Sequence, residues 1–580
     1  MYRGIITDIS WERVLLTIRG QLQLEPDSHK DIPALLQKQL QESLPEDDTE
    51  YLEAYQTILE TYKENINIVT STCISDYNPE SVYFLLRTNG YLQTYVLPAV
   101  LHKDLSFVIT INVTNFQNRA EIPNGIFLIS ALHNGHDYAL NCDIPVAAEF
   151  PALGRSFLFN KDSECYSVTF SCTTNELDPK FQLKSFLFSR KRNRRFNIKT
   201  FFRETRDKFI KFGIQGYYNL LYYLIPKNGK RILFATEARG QLQGNLEAIY
   251  NRMAERDILK DFTIMMSFRK VAGGHGSAFS WVKLITYMAI SDTILIDDYA
   301  PLLNWLTVKP KTKIIQVWHA GVGFKSVGFC RFGAKASPIL RTGHRKYAYA
   351  ITGSTSLKHV YSEVFGIEEE NVIPTGLPRI DELLDTEKVE AFKKSFYEEY
   401  PEFVNKKIIL FAPTFRGTDQ KTAHYPYDKL SFEKIYEVCG SEYVFVFKMH
   451  PFIEEIPPIP KEFADRVKDL SSFPNINQLL QVTDILITDY SSVIYEYALL
   501  KRPMIFFAYD KKEYSVIRGF HNDFDTFAPG KICTSFNEVI NAIENEDFDV
   551  HKVDKFVDEN FDYLDGHSSD RFIDRFITKQ

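Results

Sequence analysis

From Lys230 onward the chain alternates short, almost wholly apolar runs with longer amphipathic stretches. Residues 231–235, 262–266, 293–296, 313–317 and 348–352 form a first series of runs, and 408–412, 443–448, 485–488 and 504–507 form a second. A short apolar run between polar turns is the pattern of a strand buried on both faces, and the intervals leave room for a helical crossover after each. Two such successive sets predict an α/β protein with a pair of doubly wound parallel sheets. Ligands are then expected at the carboxyl ends of the strands, in the cleft between the sheets.

The first part of the chain has another texture. Runs at 14–18, 82–86, 105–113 and 166–172 alternate β-prone residues with polar turns, around a helix expected near 30–62. This predicts a β-rich N-terminal domain over 1–189 that carries no assignable chemistry. A linking segment over 190–229 follows, then sheet domains over 230–395 and 396–580.

A chain of 580 residues is too long for one core. With 44% hydrophobic and 25% charged residues it reads as globular rather than disordered. A net charge of −7 argues against a nucleic-acid partner. The seven cysteines are scattered without a C-x-x-C pair, which signals neither a disulfide framework nor a zinc site and suits a reducing cytoplasm. No signal-peptide core or membrane-spanning stretch is read in the sequence. Between Arg190 and Lys211, however, ten Lys and Arg residues face only Glu204 and Asp207, and Tyr217, Tyr218, Tyr222 and Tyr223 follow. Cations beside aromatic rings suit the surface of an anionic membrane; a solvated linker before a buried joining helix is the alternative.

Candidate chemistry clusters where the strands end. In 485–509, strand, turn, helix and strand place Ser491 and Ser492 where the helix is expected to begin, an arrangement suited to phosphate, although an N-cap has the same residues. His319 follows the strand at 313–317 and precedes Gly321 and Gly323, which let backbone approach a ligand. A histidine at that point can take a proton from a hydroxyl. Lys448 and His450 repeat the geometry in the second series, before Pro451. Loops at 411–416 and 375–381 add Thr414, Arg416 and Arg379, and a guanidinium suits phosphate. No Walker A loop, H-E-x-x-H or kinase motif set is present. Asp297 and Asp298 could hold a divalent ion but read as a turn cap, so neither metal nor cofactor is expected.

The ordered set of 232–236 with Gly244 and Asn245, Trp318-His319, Thr375-Gly376 with Pro378-Arg379, Ala412-Pro413-Thr414, His450-Pro451, and 488–492 with Glu496 resembles the CDP-glycerol glycerophosphotransferase family of teichoic acid polymerases and primases. The resemblance covers 230 to about 545 and implies a GT-B-like pair of domains, with the acceptor on the first and a CDP-linked donor on the second. It implies that His319 is the general base on the terminal hydroxyl of a lipid-linked polyol-phosphate acceptor, at the inner face of the cytoplasmic membrane, with CMP as leaving group. His450 would steady the pyrophosphate. Lys448, Arg379, Thr414, Ser491 and Ser492 would share its charge, Glu496 would accept from the ribose, and Pro413 would line the cytidine pocket. The loop Ala320, Gly321, Val322 and Gly323, with Met449, would complete the donor site.

The glycerol-phosphate branch has His-Gly-Thr-Pro-Leu-Lys where this chain runs from His319 through Ala, Gly, Val, Gly and Phe to Lys325. That loop and the Ser10-Trp11-Glu12-Arg13-Val14 segment look more like the ribitol-phosphate branch, which leaves CDP-glycerol and CDP-ribitol both open as donors. A sugar-nucleotide GT-B glycosyltransferase and a non-catalytic polymer-binding protein are the alternatives.

Overall fold

The computed structural model describes residues 2–24, 49–160, 162–173, 179–189, 198–269, 277–319, 321, 323–334, 337–417 and 420–579. They fall into two compact units, Met1–Arg195 with Arg331–Leu340, and Phe196–Cys330 with Arg341–Gln580. The first unit thus includes a ten-residue segment from deep in the sequence, which a contiguous reading of the chain could not supply.

The first unit is built from two largely antiparallel sheets, of five and seven strands. Its longest hairpin joins Tyr2–Glu12 to Leu15–Leu24. In the second of these strands Leu16, Ile18 and Leu22 are buried while Arg19 is exposed, the period of two that lets one face of a sheet meet a core. Inside the seven-stranded sheet Arg87 donates to Asp137 at 2.5 Å and Tyr91 donates to the same carboxylate oxygen at 2.6 Å, so the buried charge is paired. Part of the helix expected near 30–62 lies outside the described residues; the described helix spans Thr49–Thr72.

The second unit carries two six-stranded sheets in which every pairing is parallel. In chain order we label the first sheet β1 (Arg231–Thr236), β2 (Thr263–Phe268), β3 (Thr293–Ile296), β4 (Lys313–Gln316), β5 (Tyr349–Ile351) and β6 (Val372–Ile373). The second comprises β7 (Lys407–Phe411), β8 (Tyr443–Phe447), β9 (Val467–Asp469), β10 (Ile485–Thr488), β11 (Met504–Phe507) and β12 (Lys531–Cys533). Their spatial orders are β2-β1-β3-β4-β5-β6 and β9-β8-β7-β10-β11-β12. The direction of winding therefore reverses between β1 and β3 and between β7 and β10, and at such reversals the crossovers diverge and leave a crevice at the strand ends.

Alternate residues of each strand feed opposite cores. Ile232, Phe234, Leu295 and Ile315 pack with Leu246, Ile249 and Met253, whereas Leu233, Ile294 and Ile314 pack with Leu284 and Met288. Ile408, Leu410, Val446 and Phe506 face one side of the second sheet, and Ile409, Phe411, Phe447 and Phe507 the other. The helix α1 (Ile198–Leu224) adds Tyr218 to a core of the first sheet, with Ile214, Tyr217 and Leu221 beside it. The chain ends its course through the second sheet and then returns. In the last α-helix, α2 (Ser568–Ile573), and its π-helical continuation over Asp574–Thr578, Phe572, Ile573, Phe576 and Ile577 join the core of the first sheet. Asp381 accepts from the Ser568 and Ser569 backbone N–H groups at 3.0 and 2.7 Å. No helix among the described residues is long and apolar enough to cross a membrane.

Candidate active site

A cleft of about 1050 Å³ is lined by residues from both sheets of the second unit, with His319 from one side and His450 from the other. Each histidine follows a strand, at the sheet edge where a doubly wound fold binds ligands.

His319 is fixed by an unusual backbone. Trp318 takes a φ of 51°, a left-handed conformation that costs a bulky residue about 1–2 kcal/mol. Asn245 offsets this by donating from Nδ2 to the carbonyls of Val317 at 2.7 Å and Trp318 at 3.0 Å, while Gln316 Oε1 accepts from the Trp318 N–H at 2.9 Å. The His319 ring, one-third exposed, donates from Nδ1 to the Asp297 carbonyl at 2.8 Å. That bond keeps the proton on Nδ1 and leaves the Nε2 lone pair free to accept one. The Asp298 carboxylate lies 4.0 Å from Nδ1.

His450 has the opposite arrangement. Its Nδ1 accepts from the Phe452 N–H at 3.1 Å, so the proton resides on Nε2 and that nitrogen is a donor. Burial, with the Lys325 and Lys448 ammonium groups adding to it, pushes its pKa down to about 4, and the ring is neutral at neutral pH. Lys448 donates to the Ser471 carbonyl at 2.6 Å, and burial lowers its pKa from the ordinary lysine value.

Of the other residues singled out in the sequence, Arg379, Pro413, Lys448, Met449, Ser491, Ser492 and Glu496 line the same cleft. Four of the expected arrangements differ in detail. The helix after β10 spans only Ile494–Ala498, so Ser491 and Ser492 lie in the turn ahead of it, where Ser491 Oγ accepts from the Val493 N–H at 3.4 Å. Arg379 and Glu496 bond to each other, and Arg379 also donates to the His319 carbonyl. Their charges cancel inside the wall; burial raises the Glu496 carboxyl and Arg379 opposes that rise. Thr414 turns away from the cleft lining, its hydroxyl donating to Asp489 at 2.7 Å. Ala320 and Val322 lie outside the described residues. Gly321 and Gly323 meet Tyr495 instead of open space: a Cβ on Gly321 would stand 2.2 Å from that ring.

The contacts that support the site were not read in the sequence, although Arg416, Asp297 and Asp298 were named there. Asn245 was seen only as part of a motif, yet it clamps both the His319 backbone and, through Oδ1, the Arg379 N–H at 2.9 Å. Lys325 reaches from the loop after β4 to Thr414 Oγ1 at 3.5 Å, and burial brings its pKa down to about 8. Arg416 is held by Asp489 at 2.8 Å and Asp510 at 2.5 Å, a buttress beneath the turn after β10. Asp297 pairs with Arg239 at 3.1 Å and Asp298 accepts from the Tyr299 N–H at 2.6 Å, which agrees with a turn-capping role for the second carboxylate.

The cleft thus sets an imidazole with a free Nε2 on one parallel sheet opposite a lysine and an imidazole N–H on the other. The two-sheet fold is also that of the wall teichoic acid polymerase TagF, which aligns over 66% of this chain and 98% of its own with a TM-score of 0.53 and 21% identity. The match to the model of the CDP-Glycerol:Poly(glycerophosphate) glycerophosphotransferase family runs over residues 217–578, and the chain belongs to that family. It is accordingly an enzyme of the CDP-polyol phosphotransferase type. The teichoic acid ribitol-phosphate polymerase TarK of Staphylococcus aureus is 40% identical over 364 residues, 62% of this chain and 71% of that protein. The teichoic acid poly(ribitol-phosphate) polymerase of Bacillus spizizenii is 39% identical over 361 residues, 62% of this chain and 58% of that one.

Proposed function

We propose that the enzyme transfers ribitol phosphate from CDP-ribitol to the terminal hydroxyl of a lipid-linked polyol-phosphate chain, with release of CMP. The observation that carries this reading is the pair of histidines with opposite proton arrangements across one cleft. His319 Nε2 removes the proton of the acceptor hydroxyl as its oxygen attacks the polyol-bearing phosphorus. The bond to CMP breaks, and the proton remains on His319 beside Asp298. His450 Nε2–H, with Lys448 and the Ser491 and Ser492 hydroxyls, stabilises the charge that builds on the phosphate oxygens. Pro413 and Met449 line the cytidine side. Glu496, joined to Arg379, shapes the wall at the ribose position.

The choice of ribitol over glycerol is supported by the 40% and 39% identical relatives, both ribitol-phosphate polymerases, and by the loop between His319 and Lys325. A place on the inner membrane face is supported by α1, which buries Tyr218 but leaves Phe209 and Phe212 72% and 79% exposed beside Lys208 and Lys211. Rings on one side of a helix with adjacent cations suit an anionic lipid surface. The basic run at Arg190–Arg195 that would extend this surface lies outside the described residues. A division at about 189, 229 and 395 into accessory, linking and two sheet domains accompanies this reading, with α2 returning to the first sheet.

The test offers labelled CDP-ribitol and CDP-glycerol in parallel to a lipid-linked primer. Faster CMP release and longer products from CDP-ribitol are expected. Preference for CDP-glycerol would reverse the choice of polyol, and release of UDP from a UDP-sugar with none from either CDP-polyol would overturn the reaction.

A further inference from the structure

Outside the cleft lining, loops from the two sheets of the second unit run side by side. The Ser326 N–H donates to the Gly519 carbonyl at 3.2 Å, the His521 N–H to the Phe324 carbonyl at 3.0 Å, and Asn522 Nδ2 to the Gly323 carbonyl at 3.1 Å. These contacts deliver His521, from a loop beyond β11, to the turn Gly328–Arg331 that follows β4. That turn rests on the helix Lys358–Phe365: a Cβ on Gly328 would stand 2.0 Å from the Val364 carbonyl oxygen. Three side chains converge as a result. Cys330 Sγ lies 3.2 Å from His521 Nδ1, and a Glu363 carboxylate oxygen completes a group whose ligand atoms all lie within 4.8 Å of one another. Cys330, His521 and Glu363 are buried, at 8%, 5% and 2% exposure.

The donor set is that of a zinc ion. Thiolate, imidazole and carboxylate bind zinc at about 2.0–2.3 Å, which sets neighbouring donors about 3–4 Å apart, so a group this compact closes on an ion by side-chain rotation. Sulfur beside nitrogen disfavours calcium and magnesium, which take oxygen ligands. Charge points the same way. One thiolate and one carboxylate neutralise a divalent ion, and a buried site tolerates a neutral assembly where it would not tolerate residual charge. The fourth tetrahedral position falls to a water or to the second Glu363 oxygen. No open cavity is needed, because structural zinc sites are closed, and this one is completed when the second sheet's loop brings His521 in.

We propose that Cys330, Glu363 and His521 form a structural zinc site that ties the loop beyond β11 to the first sheet. Cys330 and His521 are 191 residues apart, so no short ligand spacing announces the site in the sequence. The ion acts on the cleft through position. It fixes the segment 323–326, from which Lys325 reaches Thr414 on the other sheet.

The untagged full chain, purified without added metal, is analysed by plasma mass spectrometry and then, after dialysis against a chelator, titrated with cobalt(II) alone. About one zinc per chain is expected, falling at least about fivefold in Cys330→Ser and His521→Gln. Cys439→Ser, which alters a buried thiol in another core, is expected to retain it. Cobalt should give the near-ultraviolet band of a thiolate ligand in the wild type and in Cys439→Ser, and no such band in Cys330→Ser. Chelation should lower the urea midpoint of the wild type and leave that of Glu363→Gln unmoved. Zinc held at full stoichiometry by both Cys330→Ser and His521→Gln overturns the site. If those variants do not fold, the wild-type spectrum decides: a cobalt complex without the thiolate band, or no cobalt uptake, means a plain thiol–imidazole hydrogen bond and overturns it equally.

Discussion

The two sheets of the second unit bring a histidine to the same place, just beyond a strand, and then treat it in opposite ways. On the first sheet His319 donates from Nδ1 to the Asp297 carbonyl, and the Asp298 carboxylate stands 4.0 Å away. On the second, His450 sits among Lys325 and Lys448, its Nδ1 accepts a backbone N–H, and its pKa falls to about 4. The cationic setting keeps His450 neutral and reinforces an N–H directed at negative charge, while His319 holds its proton on Nδ1 and presents Nε2 as an acceptor. Topology thus decides where a functional group stands, and the residues around it decide what it does.

Substituting each histidine by a residue that keeps only half of its chemistry breaks this comparison most directly. His319→Ala and His319→Gln should both lower kcat by about 10²–10⁴, because neither can accept a proton. His450→Ala should lower kcat by about 10²–10³, but His450→Gln, whose amide retains an N–H donor, should recover at least a tenth of wild-type turnover. Stopped-assay CMP release with saturating donor measures all four; equal losses in the two glutamine variants would erase the distinction. Next in size, Gly321→Ala forces a Cβ into the Tyr495 ring and should cost about 1–3 kcal/mol, read as a lower urea midpoint, with turnover falling in parallel. Asn245→Ala removes the clamp on the Trp318 backbone together with the acceptor of the Arg379 N–H, and should reduce kcat about tenfold in the same assay.

The smallest effect concerns pH and stability. The folded-state pKa of His450 lies below its ordinary value, so the unfolded chain binds the proton more readily and stability falls as pH drops from about 6.5 toward 4. The slope attributable to this group is at most about 1.4 kcal/mol per pH unit. His344, also pushed low by burial, to about 3, contributes in the same direction. Urea midpoints at pH 7, 6 and 5 should show a shallower fall for His450→Gln than for the wild type.

The sheets were legible because β3, β10 and β11 are runs of residues buried on both faces, which no exposed loop resembles. The edge strands Val372–Ile373, Val467–Asp469 and Lys531–Cys533 were not, since two or three residues are too few to display a period. In the site, His319, Lys448 and His450 stood out because they interrupt apolar runs at the strand ends. The partnership of Arg379 with Glu496 spans 117 residues and leaves no local trace, so each looked like an independent ligand group. For Lys325 the signal existed, a cation after Gly-Phe in a glycine-rich loop, but its destination at Thr414 depends on the approach of the second sheet. The helix after β10 was read too long because Ser491 and Ser492 resemble caps, whereas they complete the turn that Asp489 and Arg416 support from below.

The return of α2 to the first sheet gives the cleft an unusual kind of security. The chain leaves the first sheet ahead of β7 and comes back through Ser568–Ile573, so the two walls are joined by a covalent connection before the second sheet and by the packing of the returning helix after it. A nick ahead of β7 divides the chain in two, yet the C-terminal fragment still carries the Phe572 and Ile573 side chains that are buried in the first sheet's core. The halves of such a nicked enzyme are held by packing alone, two chains that share one core.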